Sequence, residues 1–168
     1  MKRMSFTILM VLIACVFVKA QTTATATSTV TAKIPVSLQL SVISGASVNF
    51  DFTGKVSQLS TGIEQLNAVS LSYSSNLPWF VTVNASGANF SGGSATNPMP
   101  ASALQVKNDA GGTYTNLSTT PISLRGTTGS KIAPGAGTIG VDMKLKPGAT
   151  VTPASNYSLG ITYTISNL

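Results

Sequence analysis

The chain has 168 residues, a formal net charge of +6, a single cysteine at position 15 and no histidine. Without imidazole there is no Ser-His-Asp triad, no histidine general base and no histidine-liganded metal. A lone cysteine excludes an internal disulfide framework, so stability must come from an apolar core and hydrogen-bonded ladders.

Lys2 and Arg3 precede an almost unbroken apolar run from Phe6 to Val18, and Val18-Lys19-Ala20 places small residues at a signal-peptidase spacing. The run is shorter than the roughly 20 residues a permanent bilayer helix needs. Residues 1–20 therefore read as a cleaved secretory signal, with Gln21 as the new terminus and secretion or cell-surface display as the destination. Leu12-Ile13-Ala14-Cys15 also resembles a lipobox, which would anchor the protein through Cys15. Against that reading, Val16-Phe17-Val18 stays apolar where a lipoprotein turns polar.

Cleavage would remove Lys2, Arg3 and Lys19, leaving seven basic against four acidic residues, a balance of +3. Lys33, Lys55, Lys107, Arg125, Lys131, Lys144 and Lys146 are scattered rather than clustered between aromatics, which argues against nucleic acid as a partner. The 148 residues from 21 to 168 are one domain's worth of chain, and a sandwich of that size buries roughly 68–70% of its unfolded surface without staples.

From Gln21 to Ala32 the chain is a Thr/Ala-rich lead-in. Thr23, Thr25, Thr27 and Thr29 alternate with Ala24, Ala26, Ser28 and Val30. Threonine favours extended backbone, but the small even-numbered face buries little. Two readings stand: a lead-in that becomes a first strand near Val30, or an extension that pairs with a neighbouring molecule.

Residues 33–168 read as a single domain. Val36, Leu38, Leu40 and Val42 alternate with polar residues, and after the Gly45-Ala46-Ser47 turn so do Val48, Phe50 and Phe52. Lys55 to Gln65 has no clear period and reads as loop. Val69, Leu71 and Tyr73 alternate again. Leu77 to Asn84 is the richest apolar run of this region, with Trp79, Val81 and Val83 on one face, and reads as the strand opposite the C-terminal one. Leu104 with Val106 and Ile122 with Leu124 mark two short strands. Ile139, Val141, Met143 and Leu145 mark a longer one, ended by Pro147-Gly148. From Asn156 to Ser166, Tyr157, Leu159, Ile161, Tyr163 and Ile165 fall on every second residue and predict one long strand with an apolar face. Short alternating segments between Gly, Pro, Asn and Ser turns predict an all-β, immunoglobulin-like, two-sheet antiparallel sandwich of about eight strands.

The remaining chemistry is sparse. Asp51 and Asp142 sit on polar faces of alternating segments, but a glycosidase needs two carboxyls about 5–10 Å apart, and solvated surface acids are the plainer reading. Asn108-Asp109 is the one turn that resembles a calcium loop, and Asn and Asp suit such turns without any ion. Ser91-Gly92-Gly93-Ser94 lacks the lysine and helix of a phosphate loop. Trp79 reads as core rather than as a sugar platform, which leaves Tyr114, after Gly111-Gly112, as the better exposed aromatic for a ligand. No catalytic, cofactor or metal site is assigned.

Pro153-Ala154-Ser155-Asn156-Tyr157 and the Thr/apolar strand after it resemble the final segment of bacterial surface sandwiches: WxL-domain proteins and the spore-coat-U or fimbrial-subunit-like group. Pro78 to Val83 resembles their middle strand, Pro100 to Val106 the segment after it, and Val42 to Phe52 their early strand. Trp79-Phe80-Val81 carries Val where the WxL signature has Leu, and a second such signature is absent, which departs from a peptidoglycan-binding role. The resemblance implies an exported bacterial surface protein, structural or adhesive, whose partners are other protein subunits, copies of itself or cell-surface components. Thr23, Thr25, Thr27, Thr29 and Val30 are the expected strand donors. A small carbohydrate-binding module, with a glycan as partner, is the alternative.

Overall fold

The computed structural model describes residues 27–93, 96–108, 110–154 and 156–168. The signal segment, Cys15, Thr23, Thr25 and Asp109 lie outside them. The chain divides into two units, Met1–Ile34 and Pro35–Leu168. Of the first unit, residues 27–34 are described; they are exposed and belong to no strand or helix.

The second unit is the expected two-sheet antiparallel β-sandwich. Its strands are β1 (Leu38–Ser44), β2 (Ile63–Ser75), β3 (Phe80–Ala85), β4 (Leu104–Asn108), β5 (Thr115–Asn116), β6 (Ile122–Arg125), β7 (Gly135–Leu145) and β8 (Ile161–Ser166). One sheet has five strands in the order β1-β2-β7-β4-β5, and the other has three in the order β6-β3-β8. No helix among the described residues is long and apolar enough to cross a membrane.

The core forms where the alternating faces of the two sheets meet. Leu71 of β2, Leu104 and Val106 of β4, and Ile139, Val141 and Met143 of β7 are buried, as are Val81, Val83 and Ala85 of β3. Trp79 is fully buried just before β3. It exchanges two backbone hydrogen bonds with Ile132, at 2.9 and 2.7 Å, and its indole N–H donates to the Ala133 carbonyl at 3.1 Å. Tyr73 tilts over its ring with centroids 4.3 Å apart. A large aromatic whose one polar atom is satisfied adds much apolar burial at little polar cost.

In four places the structure departs from the sequence reading. The C-terminal strand is confined to Ile161–Ser166, because the chain before it leaves the ladder: Ser158 bridges Ser91, and Gly160 accepts from the Ser86 amide at 2.9 Å. The strand from the Trp79 run lies beside β8 in the same sheet rather than facing it, with Val81, Val83 and Ala85 paired to Ile165, Tyr163 and Ile161. The stretch read as loop contains a helical turn, Gln58–Thr61, and the start of β2. A bulge between Gln65 and Val69, with Asn67 at φ +49°, breaks the alternation of β2 and hides its first half. Finally, residues 46–52 join no ladder, although Val48, Phe50 and Phe52 do pack against the core. They diverge from β2 at Gly45, which has φ +74° and where a Cβ would run into the Ala68 carbonyl oxygen.

Trp79→Ala is expected to cost about 3–5 kcal/mol, the range for emptying a buried aromatic site. Urea unfolding followed by far-ultraviolet circular dichroism measures it.

Candidate functional site

The two sheets differ in width, and the difference opens one side of the sandwich. β1 and β8 are edge strands that approach each other on that side. Among the described residues β8 pairs only with β3, and no other described strand covers the backbone donors and acceptors of its second edge. Beside it lies an open groove of about 1350 Å³, bounded by residues 45–53 on one wall and by residues 151–154 and 157–161 on the other. Phe50, Phe52, Phe90, Tyr157, Leu159 and Tyr163 are among its lining.

The groove exists because its walls are apolar but incompletely covered. Ile161, Tyr163 and Ile165 share the inward face of β8 with their buried β3 partners, yet all three remain half-buried. Val48, Phe50 and Phe52 are half-buried on the opposite wall. Phe90 and Tyr157 meet edge to face at 6.5 Å, and the Tyr157 hydroxyl donates to the Thr152 carbonyl at 2.7 Å, which fixes that end. The Tyr163 hydroxyl oxygen is the exception. It is buried and, among the described residues, is the buried side-chain polar atom without a hydrogen-bond partner. Burial pushes its phenol pKa well above the ordinary value. A free main-chain edge beside an apolar trough has the chemistry to receive an extended peptide, which would add one strand and bury every second side chain.

A second cluster lies across β2, β4 and β7. Lys107 and Asp142 are direct cross-strand partners, and the Lys107 ammonium is 3.4 Å from Asp142 Oδ2 and 4.0 Å from Glu64 Oε1. Asp142 is buried, and its Oδ1 also accepts from the Asn67 amide at 2.7 Å, tying down the β2 bulge. Tyr114 donates to Glu64 at 2.6 Å, with Lys107 Nζ 4.7 Å from the centre of its ring. Burial, followed by the hydrogen bond and charge of Glu64, raises the Tyr114 pKa. These groups satisfy one another and so act as a polar clamp across three strands.

The residues singled out from sequence are dispersed. Tyr114 is half-buried inside this clamp, and Trp79 is in the core. Asp142 is engaged with Lys107, whereas Asp51 is exposed and held below the usual carboxylate range by hydrogen bonds from Thr53. Thr27, Thr29 and Val30 are exposed in the lead-in. No three His, Cys, Asp or Glu side chains converge among the described residues. The groove lining escaped sequence reading because it assembles from segments about a hundred positions apart. The signal that pointed towards it was the five-residue apolar face ending in β8.

Lys107→Met leaves the buried Asp142 carboxylate without its cation and is expected to cost about 1–3 kcal/mol, a range lowered by the partial exposure of the lysine. Adding Asp142→Asn should restore part of that loss, and urea unfolding of the two variants measures both effects. At alkaline pH the folded chain retains the Tyr114 and Tyr163 protons that the unfolded chain releases. Stability should therefore fall as pH rises above the ordinary phenol value of 10.0. Tyr114→Phe and Tyr163→Phe should each flatten that decline in thermal melts taken across the alkaline range.

No protein-family model matches the chain, and a comparison with curated proteins finds no significant relative.

Proposed function

We propose that the protein is an exported, non-enzymatic structural or adhesive subunit of a bacterial surface, and that it associates by adding an extended segment of one copy to the open β8 edge of the next. The observation that carries this reading is the groove: among the described residues β8 has one unpaired edge, and the apolar faces on both sides of the opening are half-buried. Main-chain hydrogen bonds would supply affinity, and alternate side chains would supply fit. The donor is the lead-in containing Thr23, Thr25, Thr27, Thr29 and Val30, whose described residues are extended by composition and engage no ladder. The resemblance to fimbrial-subunit-like sandwiches and the signal-like residues 1–20 support the same reading.

The glycan-binding alternative rested on two aromatics that the fold engages elsewhere. Trp79 is fully buried, and Tyr114 is engaged by Glu64 and Lys107.

The test compares the chain from Gln21 to Leu168 with a version lacking Gln21–Ala32, by size-exclusion chromatography with light scattering. The longer chain is expected to form concentration-dependent oligomers and the shorter one to remain monomeric. An unchanged oligomer distribution overturns the reading.

A further inference from the structure

β1 ends the wide sheet as β8 ends the narrow one, and among the described residues it pairs only with β2. From Val36 to Ser44 the chain contains neither charge nor proline. Its extended line starts before its ladder, because Asn76 holds residues 35–37 in place. The Asn76 amide donates to the Ser37 carbonyl at 3.1 Å, and its side-chain Nδ2 donates to the Pro35 carbonyl at 2.7 Å. The Ser37 amide donates in turn to Asn76 Oδ1 at 2.8 Å. Ser37 stands opposite Asn76 in the β1–β2 register, so the main-chain bond between them marks the odd-numbered residues as those bonded to β2. Alternate residues of an antiparallel ladder turn N–H and C=O to opposite edges, which leaves Val36, Leu38, Leu40 and Val42 directed outward from the sheet.

Those four lie symmetrically about Gln39. Laid antiparallel against a second copy with Gln39 opposite Gln39, the segment sets Leu38 opposite Leu40 and Val36 opposite Val42. Each such pair would exchange two main-chain hydrogen bonds. Val36 and Val42 are 72% and 45% exposed, and directly opposed residues share a face, so each valine would cover the other. The segment is bounded by Pro35 before it and by a bulge after Val42, where Ile43 is the extra residue. We infer that β1 is a self-complementary edge, across which two copies join about a two-fold axis at Gln39 and merge their five-stranded sheets into one. The partner is a second copy because the pattern is its own complement: a polar residue meets its twin, apolar residues meet apolar ones, and no like charges meet. Seven residues from each copy make a small contact, so the pairing is weak, with a dissociation constant on the order of a millimolar. This contact is separate from the association at β8 and does not need the lead-in.

The version lacking residues 21–32 isolates it. That chain is expected to be monomeric at the dilution of chromatography and to dimerise as it is concentrated to millimolar levels, followed by diffusion and amide-proton spectra in nuclear magnetic resonance. The amide protons of Val36, Leu38, Leu40 and Val42 should shift with concentration, and those of Gln39 and Ser41, already bonded to β2, should shift far less. Val36 lies outside every ladder, so Val36→Asp tests the contact without disturbing the sandwich. Val36→Asp and Val42→Lys should each weaken pairing about tenfold or more, because each change occurs twice in a two-fold pair. Combining them sets opposite charges face to face and should return the affinity to within about threefold of the unaltered chain. A chain that stays monomeric at millimolar concentration overturns the inference. So do shifts confined to other strands, or losses that simply add in the double variant. None of these results bears on the association at β8, since the donor segment is absent from the experiment.

Discussion

The structure depends on an inequality between its two layers. A five-stranded sheet presents more apolar surface than three strands can cover. The excess falls on the side where β1 and β8 end their sheets, and there the chain supplies half-covered aromatics instead of another paired strand. Apolar surface left at a sheet edge is a liability that proteins usually blunt with charge, proline or a very short strand. β5 follows that rule with two residues, Thr115–Asn116. β8 does not: Ile161-Thr162-Tyr163-Thr164-Ile165-Ser166 contains neither charge nor proline. The β5 edge is thus closed off by brevity, while the β8 edge stays competent for pairing.

The two polar features divide the work. The clamp of Glu64, Lys107, Tyr114 and Asp142 joins the middle of the wide sheet and fastens the β2 bulge through the Asn67 amide. Every member has a partner, as expected for a network whose task is to hold strands in place. Tyr163 lies in the narrow sheet with its hydroxyl buried and unpaired, a state that natural cores generally avoid. The satisfied polar network lies in one sheet, and the unpaired buried hydroxyl, among the described residues, in the other.

Much of the architecture could be read from residue order. The strict alternation of Ile139 to Leu145 became β7, and Trp79, Val81 and Val83 became the heart of the core, because side-chain period reports directly which face is buried. Period does not report pairing. Val48, Phe50 and Phe52 alternate as well as any strand and do pack inward, yet their backbone joins no ladder. The same limit made residues 156–160 look continuous with β8, although they bridge Ser91 instead. The bulge at Gln65–Val69 had the opposite effect, concealing a true strand by shifting its phase. Glu64, Lys107, Tyr114 and Asp142 gave no local sign of one another, since only the strand order β2-β7-β4-β5 gathers them.

Gly45 is where the first strand parts from its neighbour. Any larger residue there would need the left-handed backbone that side chains resist and would collide with the Ala68 carbonyl. The point of divergence is therefore set by the one position without a side chain, and the residues that follow are directed away from the sheet rather than zipped along it. The mouth of the trough thus opens from a pivot in the main chain at Gly45, among the residues that line it.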